Sequence, residues 1–63
     1  MIQYVTVYVR KVGSAEEIRA VDNYPVNPLR LSQDLGPIML PVNQAYPYPD
    51  YEKTIHVTNT QLA

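Results

Sequence analysis

The run Tyr46-Pro47-Tyr48-Pro49-Asp50-Tyr51 is the part of this 63-residue chain best suited to chemistry, and that chemistry is recognition. Alternating Tyr and Pro hold a backbone extended at low entropic cost. They present three rings on a stiff strip of the kind that docks into a partner's groove. The same strip also serves as a rigid linker whose rings pack on the chain's own sheet. A second candidate is Tyr4 and Tyr8, set on one strand face either side of Thr6, with Arg10 beyond. Rings so spaced stack bases in single-strand nucleic-acid binders. Those binders also need a basic groove. Five basic against six acidic side chains, net charge −1, make nucleic acid the weakest of the readings.

Catalysis finds little to work with. His56 is the lone histidine and cysteine is absent, so no thiolate or multi-histidine metal site is expected. Glu52 and His56 on one strand face lie about 13 Å apart, too far to share a metal. His56 reads as a solvated strand residue or an interfacial pH sensor. Ser14 and Ser32 sit in turn contexts without a paired base. Two glycines cannot build a phosphate-cradling loop, and Asp34 and Asp50 have no reason to converge. No catalytic residue, cofactor or metal is expected, and enzyme is the least favoured class.

The elements that would position these residues follow from periodicity and punctuation. Residues 2–12 alternate, with Val5, Val7 and Val9 on one side and Tyr4, Thr6, Tyr8 and Arg10 on the other, the pattern of a strand. Residues 13–23 admit two structures. Ser14 and Glu17 form a capping box for a two-turn helix. The favoured alternative is a hairpin centred on Gly13-Ser14. That hairpin sets Lys11 opposite Glu16, Arg10 opposite Glu17, Val9 opposite Ile18 and Val7 opposite Ala20, with Tyr8 facing Arg19 in a cation–π contact. Residues 52–59 alternate again and predict a last strand with Ile55 and Val57 inward.

Between these strands, residues 24–50 hold all six prolines: Pro25, Pro28, Pro37, Pro41, Pro47 and Pro49. Proline fixes φ and removes a donor, so no long helix and no central strand is expected there. The segment reads as an extended arm, with short strands at Leu29–Leu31 and Ile38–Leu40 and a loop at 32–37. The expected fold is mainly β: a small antiparallel sheet of N-terminal hairpin plus C-terminal strand, with a long proline-rich arm. It forms one domain over 1–63, divided as 2–23, 24–50 and 51–59, with 60–63 frayed. The expected core face is Val5, Val7, Val9, Ile18, Ile55 and Val57, partly covered by Ile38, Met39 and Leu40.

Size sets the functional expectation. A 63-residue chain buries only about 60% of its unfolded surface and needs a staple. Without disulfide or metal, association with other chains remains. Tyrosine is the only aromatic, a residue that suits interfaces. The residues expected to bind a partner are Tyr46, Tyr48, Tyr51, Leu29, Leu31, Ile38, Met39, Leu40, Tyr4 and Tyr8. The chain reads as a non-enzymatic structural protein that docks onto a larger assembly, or onto copies of itself, through strand edges and the arm. A minor or decoration subunit of a viral particle is the most economical setting, in the virion or cytoplasm. The alternative is an inhibitor or binding module that fills a partner's groove with the Tyr-Pro strip. No secretion signal or membrane-spanning segment is read, so membrane partners are not expected.

Overall fold

β-branched alternation does produce the first strand. In the computed structural model, which describes all residues Met1–Ala63, β1 (Gln3–Lys11) is the centre of a three-stranded antiparallel sheet of order β2-β1-β3. β2 spans Glu17–Val26 and β3 spans Tyr51–Thr58. The mainly β architecture, with an N-terminal hairpin and a C-terminal strand, is that expected from the sequence. No helix crosses 15–21.

The hairpin register is also the expected one at its tip. Arg10 pairs with Glu17, Val9 with Ile18 and Tyr8 with Arg19. The turn differs. Ser14 N–H donates to the Lys11 carbonyl at 2.9 Å, so the tight turn is Lys11–Ser14 with Gly13 at its third position. Gly13 has φ +89°, which glycine adopts without a Cβ penalty. Ser14 then accepts from Glu16 N–H at 3.2 Å, and the Lys11–Glu16 ladder pair does not form. Further along, β2 carries irregularities that shift its register, so Val7 meets Val21 rather than Ala20 and Val5 meets Tyr24. Asn23, at φ +49°, lies within this stretch. β3 pairs with β1 without interruption, from Lys11 opposite Tyr51 to Tyr4 opposite Thr58.

The central segment departs from expectation. Residues 28–45 are helical: a 3-10 turn at Pro28–Arg30 leads into α1, Leu31–Ala45, with Pro37 and Pro41 inside it. The extended arm, the short strands at 29–31 and 38–40 and the loop at 32–37 are all replaced. Local chemistry starts the helix well. Asn27 Oδ1 accepts from Leu29 N–H at 3.0 Å, and Pro28 occupies the first helical position. Burial then outweighs the two prolines. Leu31, Leu35, Ile38 and Val42 recur at helical spacing; Val42 joins the core of Val5, Val7, Val9 and Val26, and the other three pack against that cluster. Fully burying a side chain such as Val42 contributes about 1.5–3 kcal/mol, and the half-buried Leu31, Leu35 and Ile38 each add a part of that, against about 3 kcal/mol for each interior proline. The prolines free the carbonyls of Gln33 and Pro37. Both residues are exposed, so water can satisfy them.

The core that results is thin. Val5, Val7 and Val9 are completely buried, joined by Val26 and Val42, and only Thr6 is buried among polar residues. Ile18, Ile55 and Val57 of the expected core face remain 45%, 41% and 38% exposed. α1 packs toward β2 and stops short of the β3 side, which is why Ile55 and Val57 stay open. Ile38 and Met39 do cover the core, whereas Leu40 points out. The Cα radius of gyration is 12.0 Å, above the roughly 10.6 Å of a compact chain this long.

Candidate functional site

The two faces of the sheet are finished differently, and the difference locates the open surface. On the polar face, residues Leu62 and Ala63 fold back over β2. Asn23 donates from Nδ2 to the Leu62 carbonyl and accepts at Oδ1 from Leu62 N–H, both at 2.8 Å, an imitation of a strand pair. Its backbone N–H donates to Thr6 Oγ1, and Thr6 Oγ1 donates to Asn23 Oδ1, each at 3.2 Å. Arg19 adds a bond from Nη2 to the Ala63 carbonyl oxygen at 2.8 Å. The tail expected to fray is therefore pinned. The left-handed φ of Asn23 aims this amide, and asparagine tolerates that region better than most residues.

Replacing Asn23 with Ala should cost about 1–2 kcal/mol, since it removes the acceptor of the buried Thr6 O–H and strains the backbone. The expected signature is loss of exchange protection at the Leu62 amide. A Leu62 amide that stays protected in Asn23→Ala would mean the tail is held elsewhere.

Tyr8 belongs to the same polar face. Its hydroxyl accepts from Arg19 Nη2 at 2.6 Å, the guanidinium carbon lies 5.3 Å from its ring centroid, and His56 meets the ring edge-on at 5.4 Å. The Tyr8–Arg19 contact read from the hairpin register is thus present. The hydrogen bond to Tyr8, with Asp22 at 2.8 Å, raises the Arg19 pKa above its ordinary value. Arg10 is raised likewise, chiefly by its 2.6 Å hydrogen bond to Glu52. Both guanidiniums are charged at any physiological pH. Tyr8 is engaged within the chain and Tyr4 is half-buried, so neither ring stands free as a stacking platform.

The Tyr-Pro strip does not present three rings outward. Tyr46 and Tyr51 meet edge-to-face at 5.2 Å and pack against the core. Asp50 N–H donates to the Pro47 carbonyl at 3.2 Å, closing a turn that brings the two rings together. Tyr48 alone projects, 86% exposed. Of the other residues expected to bind a partner, Leu31, Ile38 and Met39 pack on the core, while Leu29 (91% exposed) and Leu40 remain outside. The structure brings no group of three or more His, Cys, Asp or Glu side chains together.

Two open features remain. One is a groove of about 430 Å³ between β2 and α1, lined by Tyr24, Pro25 and Val26 on one wall and Asp34, Pro37 and Pro41 on the other. The other is the β3 half of the sheet, with Ile55 and Val57 on its apolar face and a free edge beyond them. The groove was not legible in the sequence because it requires the helix. Ile55 and Val57 were legible as apolar strand residues, but their exposure depends on how far α1 reaches across the sheet. No helix is long and apolar enough to cross a membrane. No protein-family model matches this chain, and neither a curated protein nor a solved structure is similar to it.

Proposed function

We propose that this chain is a non-enzymatic structural or interaction protein that works by docking onto other protein chains, as a small subunit of a larger assembly. The observation that carries the reading is the supply of apolar surface beyond what the fold covers. The accessible surface is 4516 Å², whereas a compact monomer of this mass exposes about 4,100 Å². The excess includes Ile55, Val57, Leu29, Leu40 and Tyr48, residues that normally seek cover. Five buried apolar side chains make a small core for a domain with no disulfide or metal. Partner contacts then supply the missing burial, and the edge strands give those contacts a backbone mode of addition. A minor or decoration subunit of a particle such as a virion fits this economy of chain.

The test is apparent mass. In extract from its source the chain should migrate well above its 7.2 kDa, and the large species should disappear under mild denaturant before the sheet unfolds. A single 7.2 kDa species in extract and in purified form, at all concentrations, would end the reading.

A further inference from the structure

The geometry points to a second copy of this chain as the partner, added to the free edge of β3 about a two-fold axis at Thr54, so that two sheets join into one of six strands. This rests on the docking reading above and names its partner.

The two edges of the sheet are not equivalent. β2 is blunted: Pro25 lacks an N–H, the register slips twice, and Asn23 takes a left-handed φ. These are the devices by which edge strands avoid addition. β3 has none of them. It runs eight residues without proline, glycine or bulge, in unbroken register with β1. The C-terminal tail leaves β3 across the polar face toward Asn23 and leaves the edge uncovered.

The direction of the free groups follows from one bond. Val12 N–H donates to the Asp50 carbonyl at 2.9 Å, which extends the β1–β3 ladder one step as a hydrogen-bonded pair. Hydrogen-bonded and non-hydrogen-bonded pairs alternate along an antiparallel ladder. Even-numbered residues of β3 therefore address β1. Tyr51, Lys53, Ile55 and Val57 turn their N–H and C=O groups outward.

Charge selects the register. A two-fold at Lys53 sets like charges directly opposite, which is destabilising. A two-fold at Ile55 sets Glu52 against Thr58. A two-fold at Thr54 sets Glu52 against His56 of the other copy, twice over, a carboxylate facing an imidazole N–H. The same register sets Tyr51 against Val57 and lays the Lys53 stem over Ile55. It thus covers the two apolar residues that α1 leaves open. The interface is at the small end of the range, below about 1,200 Å² in total, and a dimer of about micromolar affinity is expected.

The experiment uses the full chain, which contains no cysteine. Sedimentation equilibrium from low micromolar to high micromolar concentration should show a shift from 7.2 kDa to twice that mass. Ile55→Pro removes an outward N–H and leaves the β1 ladder intact, so it should keep the sheet's circular dichroism and weaken dimerisation about 100-fold or more. Thr54→Cys should oxidise to a covalent dimer, because opposed Cα atoms of a non-hydrogen-bonded pair lie about 4.5 Å apart. Ile55→Cys should not, its two copies being more than about 7 Å apart. A wild-type chain that stays at 7.2 kDa throughout overturns the inference while leaving docking onto a different protein intact. A dimer that survives Ile55→Pro, or that crosslinks through position 55 and not 54, overturns this edge and register but keeps self-association. Should Ile55→Pro lose its sheet, the two cysteine variants decide alone.

Discussion

Val7→Ala should lower the melting temperature by about 10–20 °C, more than any other single truncation in the chain. Val7 is fully buried at the middle of the central strand, between Val21 and Ile55. Removing two methyl groups there forfeits about 2–3 kcal/mol in transfer and cavity terms, because both flanking strands and α1 fix the walls of the space. A domain of this length holds about 3–9 kcal/mol in all. Ile18→Ala and Ile55→Ala, which the alternation alone would rank as equally costly, should each cost less than about 1 kcal/mol in the dilute free chain, since both residues are more than 40% exposed. Thermal unfolding followed by circular dichroism checks all three. A loss at Ile55 as large as that at Val7 would show that the β3 side is covered in the free chain. Repeating the Ile55→Ala scan at high concentration separates its role in the fold from its role at the edge. There the loss should grow with association.

The contrast between Val7 and Ile18 shows where the sequence was legible. Alternation identifies strands and, through the Arg10–Glu17 and Val9–Ile18 pairs, identifies the hairpin register, because cross-strand matching is a local property. Alternation also says which residues share a face. It does not say how much of that face a covering element reaches. Val5, Val7 and Val9 are buried because they lie on the middle strand, and the order β2-β1-β3 is a product of the return path through α1. The helix itself was masked by a strong local rule. Pro37 and Pro41 argued against it, while Leu31, Leu35, Ile38 and Val42 carried the opposing signal at spacings of four, three and four. Weighing one buried and three half-buried side chains against two missing hydrogen bonds would have kept the helix in contention. The tail lock on Asn23 had no sequence signal. Nothing near Leu62 announces that its backbone will be met by an amide 39 residues away.

Replacing the helix breakers should stabilise the protein, against the usual sign of a mutation. Gly36, Pro37 and Pro41 all lie inside α1. A Cβ added at Gly36 meets nothing within 4 Å, so Gly36→Ala should gain about 1 kcal/mol by restricting the unfolded chain. Pro37→Ala and Pro41→Ala each restore a backbone bond, to Gln33 and to residue 37. Each removes a penalty of about 3 kcal/mol, offset by up to about 1 kcal/mol of unfolded-chain entropy that proline had removed. The net gain is about 2 kcal/mol per proline, a rise of about 8–16 °C in melting temperature for either variant alone. The two prolines are four residues apart on one face, and the carbonyl that Pro41 leaves free is that of Pro37 itself, so their gains should fall short of additive. This outcome requires that the helix is held by its apolar stripe and merely tolerates the prolines. The opposite outcome has an equally definite meaning. If Pro41→Ala lowers the melting temperature, proline bending is what seats Val42 in the core, and a straighter helix lifts it out. Combining Pro41→Ala with Val42→Ala separates the cases. In the first, the loss at Val42 is as large as in the parent. In the second, Val42→Ala costs almost nothing once Pro41 is gone, because the side chain has already left its site.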